Sequence, residues 1–132
     1  MKTTTIWKSD KAFDSFKENS KIEIDAAGGF NPKALLLSGL AACSAIDVVE
    51  VLEKMRVPFA KLEVDAEAEQ TDDHPRVFKT IHVTYRLEAE EAAREKVKKA
   101  VDLSLDKYCG VAAMLKKNSA IHYEILLTNP IL

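Results

Sequence analysis

The chain has two thiols, Cys43 and Cys109, and each stands among residues that bear on its chemistry. Cys43 lies in a run of small and apolar residues, with Asp47 four positions and Glu50 seven positions further on. On a helix both carboxylates share the thiol's face. Carboxylates and apolar surroundings each disfavour a thiolate, so Cys43 becomes a nucleophile only with a cation or strong donor from elsewhere. The helix itself offers none: Lys33 falls on another face, and Lys54 is on the right face but about 16 Å along. Cys109 precedes Gly110 at the start of a short helical pattern, where backbone N–H groups favour negative charge, and local physics makes it the better thiolate. Two readings stand side by side. The cysteines are small buried apolar residues, the usual place of a free thiol, or they are a redox pair in which one thiolate attacks a peroxide and the other closes a disulfide.

Other chemistries find little support. His74, His82 and His122 fall in a turn and two strands, with no His-Glu-x-x-His, no Cys-x-x-Cys and no acidic calcium loop, so no metal is expected. Gly28-Gly29 lacks the spacing of a phosphate-cradling loop, and no nucleotide or other cofactor is expected. A net charge of -2, from 19 basic and 21 acidic residues, gives no broad positive surface, which argues against nucleic acid. The cluster of Lys96, Lys98 and Lys99 is offset by Glu90, Glu91, Glu95 and Asp102 and reads as a solvated helix face.

The elements that must position the thiols follow from periodicity. Residues 3–8, 12–17 and 21–25 read as short strands, and Gly28-Gly29 breaks the chain after them. Asn31-Pro32 is a cap residue with proline at the first helical position. A helix is predicted from 33 to 55, stopped by Pro58, about 24 residues and about 36 Å long. Leu62, Val64, Ala66 and Ala68 then alternate with acidic residues, and Ile81, Val83, Tyr85 and Leu87 alternate with polar ones, across the turn chemistry of Thr71-Asp72-Asp73-His74-Pro75. That is a hairpin with complementary outer faces. An amphipathic helix over 90–105, a short helix over 111–117 and a strand through Ile121, Tyr123, Ile125 and Leu127 complete the order.

At 132 residues, 47% hydrophobic and 30% charged, the chain is expected to form one domain, residues 1–132. Its longest uncharged apolar run, 34–46, is shorter than the roughly 18 to 20 residues of a membrane-crossing helix, and no membrane partner is expected. The first residues carry no apolar signal core, and two cysteines make a thin disulfide framework, so a reducing cytoplasm is the expected location. From 34 to 46 the long helix is apolar or small on every side and must be covered all round. One sheet covers one side, and Ser38, Gly39, Ala41, Ala42, Ser44 and Ala45 would let a second helix approach closely on the other. An obligate homodimer is therefore predicted; the alternative is that the later helices cover that side within one chain.

Three stretches carry a resemblance to a known family. They are Gly28-Gly29-Phe30-Asn31-Pro32 leading into Leu35-Leu36-Leu37-Ser38-Gly39-Leu40-Ala41-Ala42-Cys43-Ser44-Ala45-Ile46-Asp47-Val48-Val49; Pro75-Arg76-Val77-Phe78; and Val101-Asp102-Leu103-Ser104-Leu105-Asp106-Lys107-Tyr108-Cys109-Gly110-Val111. In this order and spacing the chain resembles, over nearly its whole length, the osmotically induced protein C and organic hydroperoxide resistance family, OsmC/Ohr. The version of the motif around Cys43 is similar to a branch described as predicted redox proteins. The resemblance implies an α+β fold, an intertwined homodimer with two long central helices packed between antiparallel sheets. It implies a thiol peroxidase acting on organic hydroperoxides, with Cys43 matching the attacking cysteine, Cys109 the resolving one, and an external dithiol resetting the disulfide. In the active branches an arginine and a glutamate hold the thiolate and the peroxide; here the glutamate position is Lys33 and the arginine position, counted without gaps, is Glu23. Lys33 and Arg76 are the cations that could take over, with Asp47 and Glu50 as further supporting residues. The roles implied by the resemblance oppose the local argument for Cys109, and the resemblance is followed. The alternative is a noncatalytic dimer that binds a small apolar molecule or senses redox state.

Overall fold

The computed structural model describes residues 1–130, in two compact units, Met1–Leu36 and Leu37–Leu132, of which the last two residues lie outside the description. The first unit holds an antiparallel sheet in the order β1 (Thr4–Ser9), β2 (Ala12–Lys17), β3 (Ser20–Asp25). Asp10 and Glu18 take left-handed backbone conformations at its two tight turns, with φ of 49° and 55°. The Trp7 indole closes the first turn by donating to the Asp10 carbonyl at 2.9 Å.

Helix α1 (Pro32–Lys54) begins as the sequence predicts. The Asn31 side chain accepts the Ala34 N–H at 2.8 Å, and Pro32 occupies the position whose N–H would have had no helical partner. It ends in a Schellman closure: Arg56, at φ 57°, donates to the Glu53 carbonyl, and Val57 donates to that of Leu52. Leu52 and Val57, brought together by that closure, are both buried in the core. An 18-residue window of this helix has a mean hydropathy of 1.9, enough in length and composition to cross a bilayer, because the window runs past the charges that end the uncharged run. In the structure its fourfold stripe of Leu40, Ser44, Val48 and Leu52 is buried within protein.

The second unit contains the core. Strands β4 (Ala60–Gln70) and β5 (Phe78–Glu88) form the predicted hairpin, with Glu63 opposite Arg86 and Glu67 opposite His82. Arg86 forks between Glu63 and Asp65, the cross-strand pairing that the alternating charges imply. Strand β6 (Ala120–Thr128) pairs with β5 in parallel, so the sheet is mixed, and the expectation of antiparallel sheets holds only for its first pair. The cause lies in the connection: α2 (Arg94–Leu103), a π-helical turn (Ser104–Tyr108) and α3 (Gly110–Lys116) intervene, a crossover long enough to return the chain for parallel pairing. Central strand β5 buries Ile81, Val83, Tyr85 and Leu87, and α2 buries Val97, Ala100 and Val101. Each large aliphatic side chain so buried contributes about 1.5–3 kcal/mol. Among the described residues, three α-helices and two three-stranded sheets make an α+β fold.

Candidate functional site: a buried thiol pair and its hydroxyl chain

Helix α1 and the end of the π turn bring the two cysteines together. Cys109 caps α3, with its sulfur accepting the Ala112 N–H at 3.3 Å, and the Cys43 thiol lies close enough to act on its ionisation. Cys43 is half-buried on α1, whereas Cys109 is only 3% exposed. The cap forms as the sequence implies, yet it does not make Cys109 a ready thiolate. Burial pushes its thiol up to about 11, the neighbouring Cys43 adds to the rise, and the Ala112 amide offsets only part of it. The N-terminal N–H groups of one short helix are outweighed by the loss of water.

Beside the sulfurs lies a set of polar groups, themselves almost sealed from solvent. Ser44, fully buried on α1, contacts the Tyr85 hydroxyl at 2.6 Å and the Ser104 hydroxyl at 2.8 Å. Ser104 donates within 3.0 Å of the Asp47 carboxylate, and its carbonyl accepts the Cys109 N–H at 2.8 Å. That last bond is the five-residue link that makes the turn π-helical, a departure from α geometry frequent at functional sites. Burial pushes the Tyr85 phenol up to about 12, although its bond to Ser44 acts the other way. The ring of Tyr85 meets that of Tyr123 edge to face, centroids 6.2 Å apart, and Tyr123 donates to Asp102.

A cavity of about 590 Å³ opens next to this chain, lined by Asp47, Glu50, Val51, Lys54, Met55, Lys99, Leu103 and Tyr108. Its wall is mixed, with two carboxylates and two ammonium groups among apolar side chains. Asp47 belongs to both the cavity and the hydroxyl chain.

The protein family described as OsmC-like protein matches residues 25–124. The chain belongs to the OsmC family. Protein YhfA of Escherichia coli K12 is 37% identical over 98 residues, 73% of each chain. The crystal structure of a hypothetical protein from Aquifex aeolicus superposes with a TM-score of 0.89 at 26% identity, covering 98% of this chain and 97% of that one. The organic hydroperoxide resistance protein OhrB of Bacillus subtilis superposes at 0.65 with 20% identity, over 94% of this chain and 96% of its own, a likeness of fold.

Within this OsmC-family chain the predicted site residues separate. Cys43, Cys109 and Asp47 converge, Asp47 close enough for its charge to act on the Cys109 thiol, and Glu50 joins Asp47 on the cavity wall. Lys33 is the second residue of α1 and belongs to the first unit. Arg76 is exposed in the loop before β5, and both cations have interactions of their own. The groups that act on Cys109 are Cys43, the Ala112 amide and Asp47, with no cation among them. Among the described residues no cluster of His, Cys, Asp and Glu is arranged to hold a metal.

Ser44, Ser104 and Tyr85 are the site residues that the sequence reading passed over. A signal was available: a tyrosine on the inward face of a core strand needs a partner for its hydroxyl, and serines on the inward faces of two helices can supply one.

Proposed function

We propose that this OsmC-family protein is a thiol-dependent peroxidase for organic hydroperoxides. The observation that carries the reading is the contact between a half-buried Cys43 and a buried Cys109 brought from separate elements. The more open sulfur meets the peroxide and the sealed one waits. The Cys43 thiolate attacks the distal oxygen of R–O–O–H, the O–O bond breaks, and the alkoxide takes a proton to leave as the alcohol. Cys43 is left as a sulfenic acid. The Cys109 sulfur then attacks the Cys43 sulfur, its proton leaves with the sulfenic hydroxyl as water, and a disulfide forms. An external dithiol reduces it by exchange, in the reducing cytoplasm that the two free thiols suit.

The supporting residues divide by place. Asp47 and Glu50 border the 590 Å³ cavity, which suits a substrate with an apolar body and a polar end. In this reading the cation that pairs with the Cys43 sulfur is Lys33 or Arg76, of this chain or of a second copy. The functional unit in this reading is a homodimer. Ala42 and Ile46, one helical turn apart on α1, are exposed in the protomer, Ile46 at 59%, which fits a helix-to-helix seam.

A second reading has one observation behind it, the mixed cavity beside the thiol pair: a noncatalytic dimer that binds a small molecule or senses redox state. Trapping separates the two. Dimedone added with cumene hydroperoxide labels Cys43 in Cys109→Ser and labels nothing in Cys43→Ser if the peroxidase reading is right. Absence of label in both variants supports the binding reading.

A further inference from the structure

One hydroxyl cannot donate three hydrogen bonds. The Ser104 oxygen lies 2.8 Å from the Ser44 hydroxyl, 3.0 Å from the Asp47 carboxylate and 3.3 Å from the Ser44 carbonyl, and it carries a single proton. A carboxylate is the strongest acceptor of the three, so the proton points to Asp47. The Ser44 hydroxyl and carbonyl are further acceptors for the same Ser104 hydroxyl, and the Ser44 hydroxyl pairs with the Tyr85 phenol across 2.6 Å. None of the three buried hydroxyls is left without a partner, the condition under which such a network rigidifies its surroundings.

The chain is attached to both thiols through the backbone. Ser44 follows Cys43 on α1, and Ser104 opens the π turn, where its carbonyl accepts the Cys109 N–H. Ser104 therefore holds α1 with its side chain and the Cys109 backbone with its main chain. A π turn places one additional residue in the bonded ring relative to α geometry, and here that ring closes on Cys109.

We propose that Ser104 is the positioning residue of the thiol pair: by tying α1 to the Cys109 backbone it keeps the two sulfurs within bonding reach and sets how readily the Cys43–Cys109 disulfide closes. The proposal deepens the thiol-pair reading but does not require a peroxide as oxidant. With oxidised glutathione, the Cys43 sulfur displaces one glutathione thiolate to give a mixed disulfide. The Cys109 sulfur then displaces the second, so two protein thiols are oxidised as one disulfide is reduced to two thiols.

The test equilibrates the full chain in buffers of reduced and oxidised glutathione and reads the effective concentration of the pair from the fraction oxidised. Ser104→Ala is expected to lower it about tenfold, the scale of one charge-assisted hydrogen bond, and to accumulate the mixed disulfide at Cys43. Ser104→Thr, which keeps the hydroxyl, is expected to restore most of it. Ser44→Ala removes one of the two α1 side chains that Ser104 bonds, so it keeps the test open if Ser104→Ala does not fold, and it should fall in the same direction. Equal values for wild type, Ser104→Ala and Ser44→Ala would overturn the proposal and leave the peroxidase reading standing. A wild type that closes its disulfide in glutathione but ignores cumene hydroperoxide would overturn the peroxidase reading and leave this one. A wild type that closes no intramolecular disulfide in any buffer would overturn both.

Discussion

Cys109 sits close enough to Cys43 for the two thiols to act on each other, yet the two differ in access: Cys109 is 3% exposed and Cys43 half-buried. In the proposed function that asymmetry orders the chemistry. A thiol held near 11 is about one ten-thousandth ionised at neutral pH, which suits a group that reacts only once its neighbour has been oxidised.

The raised Cys109 thiol gives stability a definite pH dependence. Below about pH 9, the ordinary value of the thiol, it is protonated in folded and unfolded chains alike and its contribution is complete. Between 9 and about 11 the unfolded chain releases the proton while the folded one keeps it, so stability falls as pH rises. Tyr85 acts in the same direction from 10 to about 12. Urea unfolding at stepped pH should show this decline. Cys109→Ser should remove its lower part and spare the upper; an unaltered profile in that variant would contradict the assignment.

The hydroxyl chain makes an unequal prediction for its members. Tyr85→Phe removes the head of the chain and should cost about 0.5–1.5 kcal/mol, since Ser44 keeps its bond from Ser104. Ser44→Ala strands the buried Tyr85 hydroxyl and should cost more, about 1–3 kcal/mol. Urea midpoints with unchanged slopes would measure both, and the reverse order would contradict this account of the chain.

Much of this was legible in the sequence, and the exceptions have physical causes. The Asn31-Pro32 start of α1, the alternation through Leu62–Ala68 in β4 and the hairpin charges are local patterns, and each is found where it was read. The parallel placement of β6 is not local, because Ile121, Tyr123, Ile125 and Leu127 alternate alike in either direction. The proximity of Cys43 and Cys109 followed from resemblance, since no periodicity joins positions so far apart in the chain. The local argument for Cys109 identified the cap to Ala112 but not the burial that reverses its effect. Ser44 reads in the sequence as one of the small residues that admit a second helix, because the partner that gives it a role, Tyr85, arrives from another element.

The core and the outer face of α1 should respond differently to truncation. Leu52 is fully buried under the Schellman closure, so Leu52→Ala should cost about 2–5 kcal/mol by cavity formation. Chemical denaturation checks this, and a loss under 1 kcal/mol would contradict the packing described.

Ile46, 59% exposed in the protomer, should matter to assembly instead. Sedimentation should give wild type twice the chain mass of 14.7 kDa, and Ile46→Lys should shift it toward the single chain. A wild type that sediments as one chain would contradict the homodimer.

The central claim is tested most directly by intact mass and free-thiol count of the reduced wild type after one equivalent of cumene hydroperoxide per chain. The account predicts rapid loss of two thiols and of two mass units per chain, with no oxygen retained. Thiols that stay reduced over many minutes, or a product that keeps oxygen on Cys43 beside a free Cys109, would contradict it.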